Sequence, residues 1–206
     1  MVASSNFWFG SSGLYDYPIN SSCRFNSASS EYLHFTPSGD GNRRTFTFSA
    51  WVKRSTLLTT NSTAHPIVTW QNDSENSDWD QLRFTSANWG GENSNHNEIQ
   101  FMLDGASDGH LVTSGLFRDT SAWYHIMVAV DTTQGTDTNR IKLYVNGEQP
   151  SLGTATYPAQ NFDCWANKSG RATTIGSDIY ASPSKYFDGY MAEVHFINGS
   201  QLTPSW

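Results

Sequence analysis

The feature that most constrains the fold of this chain is an alternation of apolar and polar side chains that recurs along its length. Successive side chains of a β-strand point to opposite faces, so a period of two predicts strands with one buried face, whereas a helix needs a period of about 3.6. Five stretches have this pattern. The residues predicted to share one face in each are Phe46, Phe48, Ala50 and Val52; Ile99, Phe101 and Leu103; Tyr124, Ile126, Val128 and Val130; Ile141, Leu143 and Val145; and Tyr190, Ala192, Val194 and Phe196.

Shorter segments and turn signals complete this pattern. Weaker strands are predicted at residues 32–35, 66–70, 81–85, 110–113 and 172–175, and long polar loops at residues 57–64, 72–80, 86–97 and 149–170. Asn146 and Gly147 directly follow an alternating stretch, and this pair favours a type I′ hairpin turn because both residues tolerate a positive φ. Many short strands with such loops predict an all-β fold, an antiparallel β-sandwich of the jelly-roll kind.

Composition and charge restrict the partners. Aromatic residues make up 14% of the 206 residues, which is enough to build a substantial core. There are 12 Lys and Arg against 19 Asp and Glu, giving a net charge of −7. Binding to nucleic acid or to an anionic membrane needs a positive surface, so neither is expected as a partner. The two cysteines, Cys23 and Cys164, are interpreted as free thiols, because a domain of this size needs no cross-link, with one disulfide between them as the alternative.

The first 20 residues differ from the rest and are predicted to form a separate N-terminal aromatic segment, followed by one domain over residues 21–206. Phe7, Trp8 and Phe9 lie among Gly and Ser. Consecutive side chains of a strand point to opposite faces, so at least one of these rings is expected to point away from any surface that the others pack on. The segment is therefore predicted to be an assembly anchor, while folding back onto its own domain remains the alternative. Residues 1–10 lack a basic residue followed by an apolar run, so no secretory signal is predicted.

The strand segments also resemble a known family. The segments that carry the resemblance are TFTFSAWVKR (45–54), SAWYHIMVAVDTTQ (121–134), RIKLYVNGEQ (140–149), IGSD (175–178) and YFDGYMAEVHFINGSQLTPS (186–205). Their order and spacing over residues 21–206 are similar to the laminin-G-like, concanavalin-type jelly roll. The segments VAVDTTQ, YFDGYMAEV and LTPS are also similar to segments of structural proteins of marine bacteriophages.

This resemblance implies a non-enzymatic virion module, a tail fibre or a capsid decoration, on the surface of the particle. Its implied partners are other virion proteins, further copies of the chain, and host surface polysaccharide. A secreted or cell-surface lectin-like adhesin remains an alternative, disfavoured by the missing signal. A glycan hydrolase is the third hypothesis for the function.

A hydrolase is disfavoured by the acidic residues of the chain. Sandwich glucanases of this fold resemble one another in an E-x-D-x-E motif, which places three acids on one face of a strand, and this sequence lacks it. Glu75, Asp78 and Asp80 come nearest, but they fall in a predicted polar loop and are interpreted as solvated carboxylates. None of the histidines has the spacing of a zinc site, and His125 and His195 are expected to be hydrogen-bonded residues of strands.

Calcium is the metal ion that the resemblance favours, since laminin-G-like domains often bind it with loop oxygens at the rim of the sandwich. Asp104, Asp108 and Asp178 are the candidate ligands, with Asp73 as a further one. Calcium takes six to eight hard oxygen ligands, which loops supply. None of these residues forms a D-x-D-x-D-G pattern, so ordinary turn residues with local hydrogen bonds remain the alternative.

Tryptophans in polar loops are the candidates for contact with sugars, because an indole ring presents a flat apolar face. Trp79 and Trp89 lie in predicted loops and are the candidate glycan-binding residues, with packing at the edge of the core as an equal alternative. Trp51 and Trp123 lie in strong predicted strands and are predicted to pack in the core.

Overall fold

The computed structural model describes residues 20–59, 64–71, 78–85, 96–178 and 185–204, and these form a sandwich of two antiparallel sheets, as the alternation predicts. The strands are β1 (Cys23–Phe25), β2 (Leu33–Phe35), β3 (Thr45–Arg54), β4 (His65–Gln71), β5 (Trp79–Phe84), β6 (Ile99–Leu103), β7 (Gly109–Thr113), β8 (Tyr124–Asp131), β9 (Ile141–Val145), β10 (Leu152–Thr156), β11 (Ala172–Ile175) and β12 (Gly189–Asn198). The five-stranded sheet has the order β1-β12-β3-β8-β9, and the seven-stranded sheet has the order β10-β7-β6-β5-β4-β11-β2. Short 3₁₀ turns are formed by Ser27–Ser29, Asp104–Ala106 and Asp137–Asn139. Within the described ranges no helix is long and apolar enough to span a bilayer.

The core lies between the sheets and is formed by the alternating residues. All four predicted core residues of β3 are buried, as are Ile99, Phe101 and Leu103 of β6. The inward residues of β8 and β9 also join the core, with Tyr124 partly buried against it. Burying such side chains stabilises the fold by roughly 1.5–3 kcal/mol each. The predicted faces of these four strands are therefore confirmed.

The two strand tryptophans do not lie in this core, so that prediction is wrong. Trp51 follows the inward residue Ala50, and the alternation of β3 therefore directs Trp51 to the outer face, where it is half-buried. Its ring packs against His125 of β8, with centroids 5.2 Å apart. Trp123 directly precedes β8 and is also only half-buried.

The predicted face of β12 is wrong for Tyr190 and Val194, although Ala192 is buried and Phe196 contacts the core, because the strand contains a β-bulge. Ala192 pairs with Trp51 and His195 pairs with Ser49, so that two residues, Glu193 and Val194, oppose one residue of β3. Glu193 has a positive φ of 47°. As a result Met191 is buried, Tyr190 and Val194 are exposed, and Phe196 packs against the core.

The turn at Asn146 and Gly147 is confirmed, with φ values of 50° and 81°. It closes a single residue pair, Val145 with Glu148, because the next strand, β10, belongs to the other sheet. β10 lies inside the segment predicted as a loop at 149–170, and β1 has no sequence signal. Both cysteines are free thiols, as interpreted; Cys23 is exposed and Cys164 is buried.

Candidate functional site

One end of the seven-stranded sheet gathers chemistry-bearing residues from distant parts of the chain. β5 begins at Trp79, β6 ends at Leu103 and is followed by the turn Asp104–Ala106, and β11 begins just after Arg171. The antiparallel pairing places these three strand ends together, since Gln71 of β4 pairs with both Trp79 and Ala172, and Gln81 of β5 pairs with Met102 near the end of β6. Trp79, Asp80, Asp104, Trp165 and Arg171 are called the Trp rim below.

Asp80 is the structural centre of the Trp rim. Its Oδ2 accepts hydrogen bonds from the backbone N–H groups of Trp165 at 2.7 Å and Ala166 at 3.0 Å, and its Oδ1 accepts one from Asp104 at 3.1 Å. The side chain is fully buried, and this desolvation raises its pKa to about 7 despite the three hydrogen bonds. The interpretation of Asp80 as a solvated loop carboxylate is therefore wrong. Asp78 is also not a free loop acid, since it lies 3.4 Å from Nη2 of Arg171.

The two tryptophans of the rim are fixed by the turn after β6. Trp165 donates from Nε1 to Oδ1 of Asp104 at 2.8 Å. Gly105 lies against the indole of Trp79, where a Cβ would come within 3.3 Å of Nε1. Asp104, Gly105 and Ala106 all have positive φ values, of 48°, 63° and 78°, so the turn is held in a backbone conformation that only glycine adopts at little cost. Both indoles are half-buried, so each combines a fixed position with an accessible part.

Three cationic side chains surround the indole of Trp165. Nζ of Lys168 lies 4.3 Å from the ring centroid, Cζ of Arg171 lies 4.6 Å from it, and Cζ of Arg43 lies 5.7 Å from it. Arg43 also donates to the backbone carbonyl oxygens of Cys164 at 2.8 Å and Asp163 at 3.1 Å. Cations are attracted to the negative face of an indole, so the three cations beside Trp165 make this part of the rim positively charged.

Trp165 and its cations were not identified from the sequence. Trp165 lies in the segment predicted as a long polar loop, where no periodicity marks it. A signal was present, because it is a tryptophan in a polar loop with Lys168 and Arg171 close behind it. Arg43 comes from another part of the chain, and only the fold brings it to the rim.

The structure brings together two of the three predicted calcium ligands. Burial and the neighbouring carboxyl of Asp104 raise the pKa of Asp108. Asp178 follows the opposite end of β11 and pairs with Nζ of Lys185 at 3.3 Å. Among the described residues, no group of three or more His, Cys, Asp or Glu side chains is arranged to hold a metal. The calcium site stays a prediction, and Asp73 lies outside the described residues.

The other predicted site residues lie at the rim, elsewhere in the sandwich, or outside the described residues. Trp79 lies at the rim, although it begins a strand rather than sitting in a loop. Trp89 and the anchor residues Phe7, Trp8 and Phe9 lie outside the described residues. His195 lies on β12 with Nε2 3.1 Å from a carboxylate oxygen of Glu193.

A second polar group, the polar row, lies on the outer face of the seven-stranded sheet. It consists of Thr69, Gln81, Arg83, Gln100 and His110, none of which is more than 6% exposed. Arg83 donates to the side-chain oxygens of Gln100 at 2.5 Å and Gln81 at 3.3 Å, and Gln81 donates to the Thr69 hydroxyl at 2.9 Å. Gln100 also contacts Nε2 of His110. Since this group is enclosed, the half-buried Trp rim is the better candidate site.

Comparison with known proteins identifies the family to which the fold belongs. Residues 27–205 match the family model Laminin_G_3, described as the concanavalin A-like lectin/glucanases superfamily. No curated protein matches the chain in sequence.

Among solved structures, CBM40 of the Ruminococcus gnavus IT-sialidase, bound to α2,3-sialyllactose, is similar with a TM-score of 0.56 and 13% identity, over 89% of this chain and 91% of that one. The full-length tailspike protein 2 of Escherichia coli O157:H7 bacteriophage CAB120 is similar with a TM-score of 0.51 and 13% identity, over 86% of this chain but only 22% of that one. Identities this low establish a shared fold alone.

Proposed function

Since the chain belongs to the concanavalin A-like lectin/glucanases superfamily, we propose that it is a non-catalytic module that binds glycans at the Trp rim. The observation that carries this proposal is the pair of half-buried indoles, Trp79 and Trp165, fixed on either side of one strained turn. Sugar rings pack on flat apolar faces, and hydrogen-bonding groups beside those faces give the site its specificity. The rim supplies both kinds of group. The sialyllactose in the R. gnavus relative supports the same class of ligand.

The buried carboxylate of the rim supports binding rather than hydrolysis. A glycosidase needs two carboxyl groups about 5–9.5 Å apart across the scissile bond. Asp80 is inaccessible, and both of its oxygens accept backbone hydrogen bonds. Asp104 accepts a hydrogen bond from the indole of Trp165. Each of these acids therefore has a structural task already.

The finer proposal is a role on the surface of a bacteriophage particle, as a tail fibre or capsid decoration. It is supported by the sequence segments that resemble phage structural proteins and by the similarity of the fold to the tailspike protein. In this role the N-terminal segment, with Phe7, Trp8 and Phe9, attaches the module to other virion proteins or to further copies of the chain. The Trp rim then contacts polysaccharide on the host surface.

Glycan-array binding with matched variants tests the binding proposal. Trp79→Ala is expected to lower the affinity for the best ligand about tenfold or more, the equivalent of roughly 1.4 kcal/mol. Trp51→Ala is the control, since Trp51 is also a half-buried tryptophan but lies on the outer face of the other sheet. Equal affinities of wild type and Trp79→Ala, with both folded, would exclude the rim as the site. Release of reducing ends from the bound glycan would contradict a non-catalytic role.

Deleting residues 1–20 tests the virion role. If the segment is an anchor, the truncated domain keeps its melting temperature and its glycan binding but no longer assembles onto particles. A lower melting temperature would instead indicate that the segment packs on its own domain. Full assembly of a folded truncated protein would contradict both alternatives.

A further inference from the structure

Three cations elsewhere in the chain are neutralised by a carboxylate in direct contact, whereas, among the described residues, two of the three cations around Trp165 are not. Arg24 pairs with Asp188 at 2.8 Å, Arg44 with Asp163 at 2.7 Å and Lys185 with Asp178 at 3.3 Å. Within the part of the chain that the structure describes, Lys168 and Arg43 form no ion pair with a carboxylate. Arg171 forms a long one, at 3.4 Å from Asp78.

Arg171 also carries an unused donor. Its Nη1 is buried and has no hydrogen-bond partner among the described residues. Leaving a buried guanidinium N–H without an acceptor is unfavourable, so such groups usually have an acceptor from the protein, from water or from a ligand. The side chain is 14% exposed, which places this donor close beneath the surface of the rim.

The grouping of the three cations is itself unfavourable without an anion. All three lie within 5.7 Å of one ring centroid, so they repel one another. The indole offsets part of this repulsion through cation–π attraction. The nearby acids are already engaged: Asp104 accepts from the indole N–H, Asp163 pairs with Arg44, and Asp80 is buried. An anionic group of a ligand would remove the remaining repulsion.

We propose that the Trp rim selects acidic glycans, and that Lys168, Arg171 and Arg43 bind the carboxylate or sulfate group of the sugar. This inference rests on the glycan-binding function proposed above. Arginine suits such a group because its donors match two oxygens of one anion. The net charge of −7 argues against a long polyphosphate as the ligand, since the field of the whole chain repels it. A single acidic group on a mostly neutral sugar chain meets only the local positive cluster.

The test compares matched acidic and neutral probes. Calorimetry with 3′-sialyllactose and lactose examines a carboxylate, and a κ-carrageenan oligosaccharide with its desulfated form examines a sulfate. The acidic member of at least one pair is expected to bind about tenfold or more tightly, and this preference is expected to shrink as salt is added. The pair that shows the preference identifies the acidic group.

Variants then test whether the preference for the acidic probe arises from the cations around Trp165. Lys168→Gln removes one cation from a half-buried surface position and is expected to lower the affinity for the acidic probe about tenfold, with little effect on the neutral one. Arg43→Gln provides a second, independent variant. Lys142→Gln on β9, in the other sheet, is the matched control and is expected to change neither affinity.

The outcomes separate this inference from the function on which it rests. Equal binding of acidic and neutral probes, with loss of both in Trp79→Ala, would overturn the acidic preference and leave glycan binding at the rim in place. An unchanged preference in Lys168→Gln and Arg43→Gln would also overturn it. No binding of any probe, here or on the glycan array, would overturn both.

Discussion

The polar row and the Trp rim are both rich in polar side chains on the seven-stranded sheet, but they use them in opposite ways. In the polar row, Arg83 donates to two glutamine side chains, and the group is enclosed. In the Trp rim, cations lie around an indole, and one buried donor of Arg171 has no acceptor among the described residues. Polar groups that satisfy one another inside a protein specify its structure, whereas accessible groups without protein partners can bind a ligand. The comparison therefore supports a structural role for the polar row and is consistent with the binding role proposed for the rim.

The largest expected effect lies in the polar row. Arg83→Ala leaves the side-chain oxygens of Gln81 and Gln100 without this donor, and each buried unsatisfied group costs about 1–3 kcal/mol. The free energy of unfolding, measured in urea, is expected to fall by roughly 3 kcal/mol. Lys168→Gln at the rim is expected to change it by less than about 0.5 kcal/mol. Similar losses in the two variants would remove the distinction between the regions.

The second prediction concerns pH and contrasts Asp80 of the rim with His65 of β4. Burial raises the pKa of Asp80 from 3.8 to about 7, so between these values the folded state holds a proton that the unfolded state releases, and stability falls as the pH rises. Burial, with the charge of Arg54, lowers the pKa of His65 from 6.5 to about 4. The unfolded state then holds the extra proton, and stability falls as the pH drops. In the wild-type protein these two contributions oppose each other between about pH 4 and 6.5.

Removing either group should reveal the contribution of the other group to the pH dependence of stability. Asp80→Asn is expected to make the unfolding free energy rise with pH over this window, by up to about 1.4 kcal/mol per pH unit. His65→Gln is expected to give the opposite slope. Each substitution also lowers the overall stability, so the slope of denaturant midpoints against pH is the measurement. Parallel curves for wild type and both variants would show that neither group has the shifted pKa.

A smaller effect is expected at the turn of the rim. Gly105→Ala places a Cβ at a φ of 63° and 3.3 Å from Nε1 of Trp79. A left-handed conformation costs a residue with a Cβ about 1–2 kcal/mol, and the contact adds strain. We expect a lower melting temperature together with weaker glycan binding, because the turn positions both tryptophans. Gly115→Ala is the control, since a Cβ there meets nothing within 4 Å. Weaker folding with unchanged binding would separate the turn from the site.

The smallest expected effect is at Trp51, outside both regions. Complete burial of this ring would make its removal cost roughly 3–5 kcal/mol. Because it is half-buried against His125 on the outer face, Trp51→Ala is expected to cost only about 1–2 kcal/mol. Chemical denaturation measures the difference. A loss as large as that of Phe48→Ala, which removes a ring that is 1% exposed, would place Trp51 in the core after all.

The faces of β3, β6, β8 and β9 were predictable because each strand is regular, and a period of two then decides which side chains are buried. β12 was not, because one bulge at Glu193 and Val194 shifts the alternation by a residue, and no local signal marks that bulge. For the site, residue type and loop context identified Trp79, and the family resemblance pointed to Asp104, although as a calcium ligand. The sequence did not identify the contribution of Trp165, Arg43 and Arg171, because their proximity depends on which strand ends the sheet order brings together.

The burial of Asp80 has a consequence for the motions of the chain. One carboxylate holds the backbone amides of Asp104, Trp165 and Ala166, which belong to two segments far apart in sequence. Neither segment can open without breaking hydrogen bonds to the same buried group on β5, a central strand of its sheet. The three amides should therefore exchange with deuterium in one cooperative opening rather than as two independently fraying loops. A ligand held by the rim would then meet a preorganised surface, and little conformational entropy would be lost when it binds.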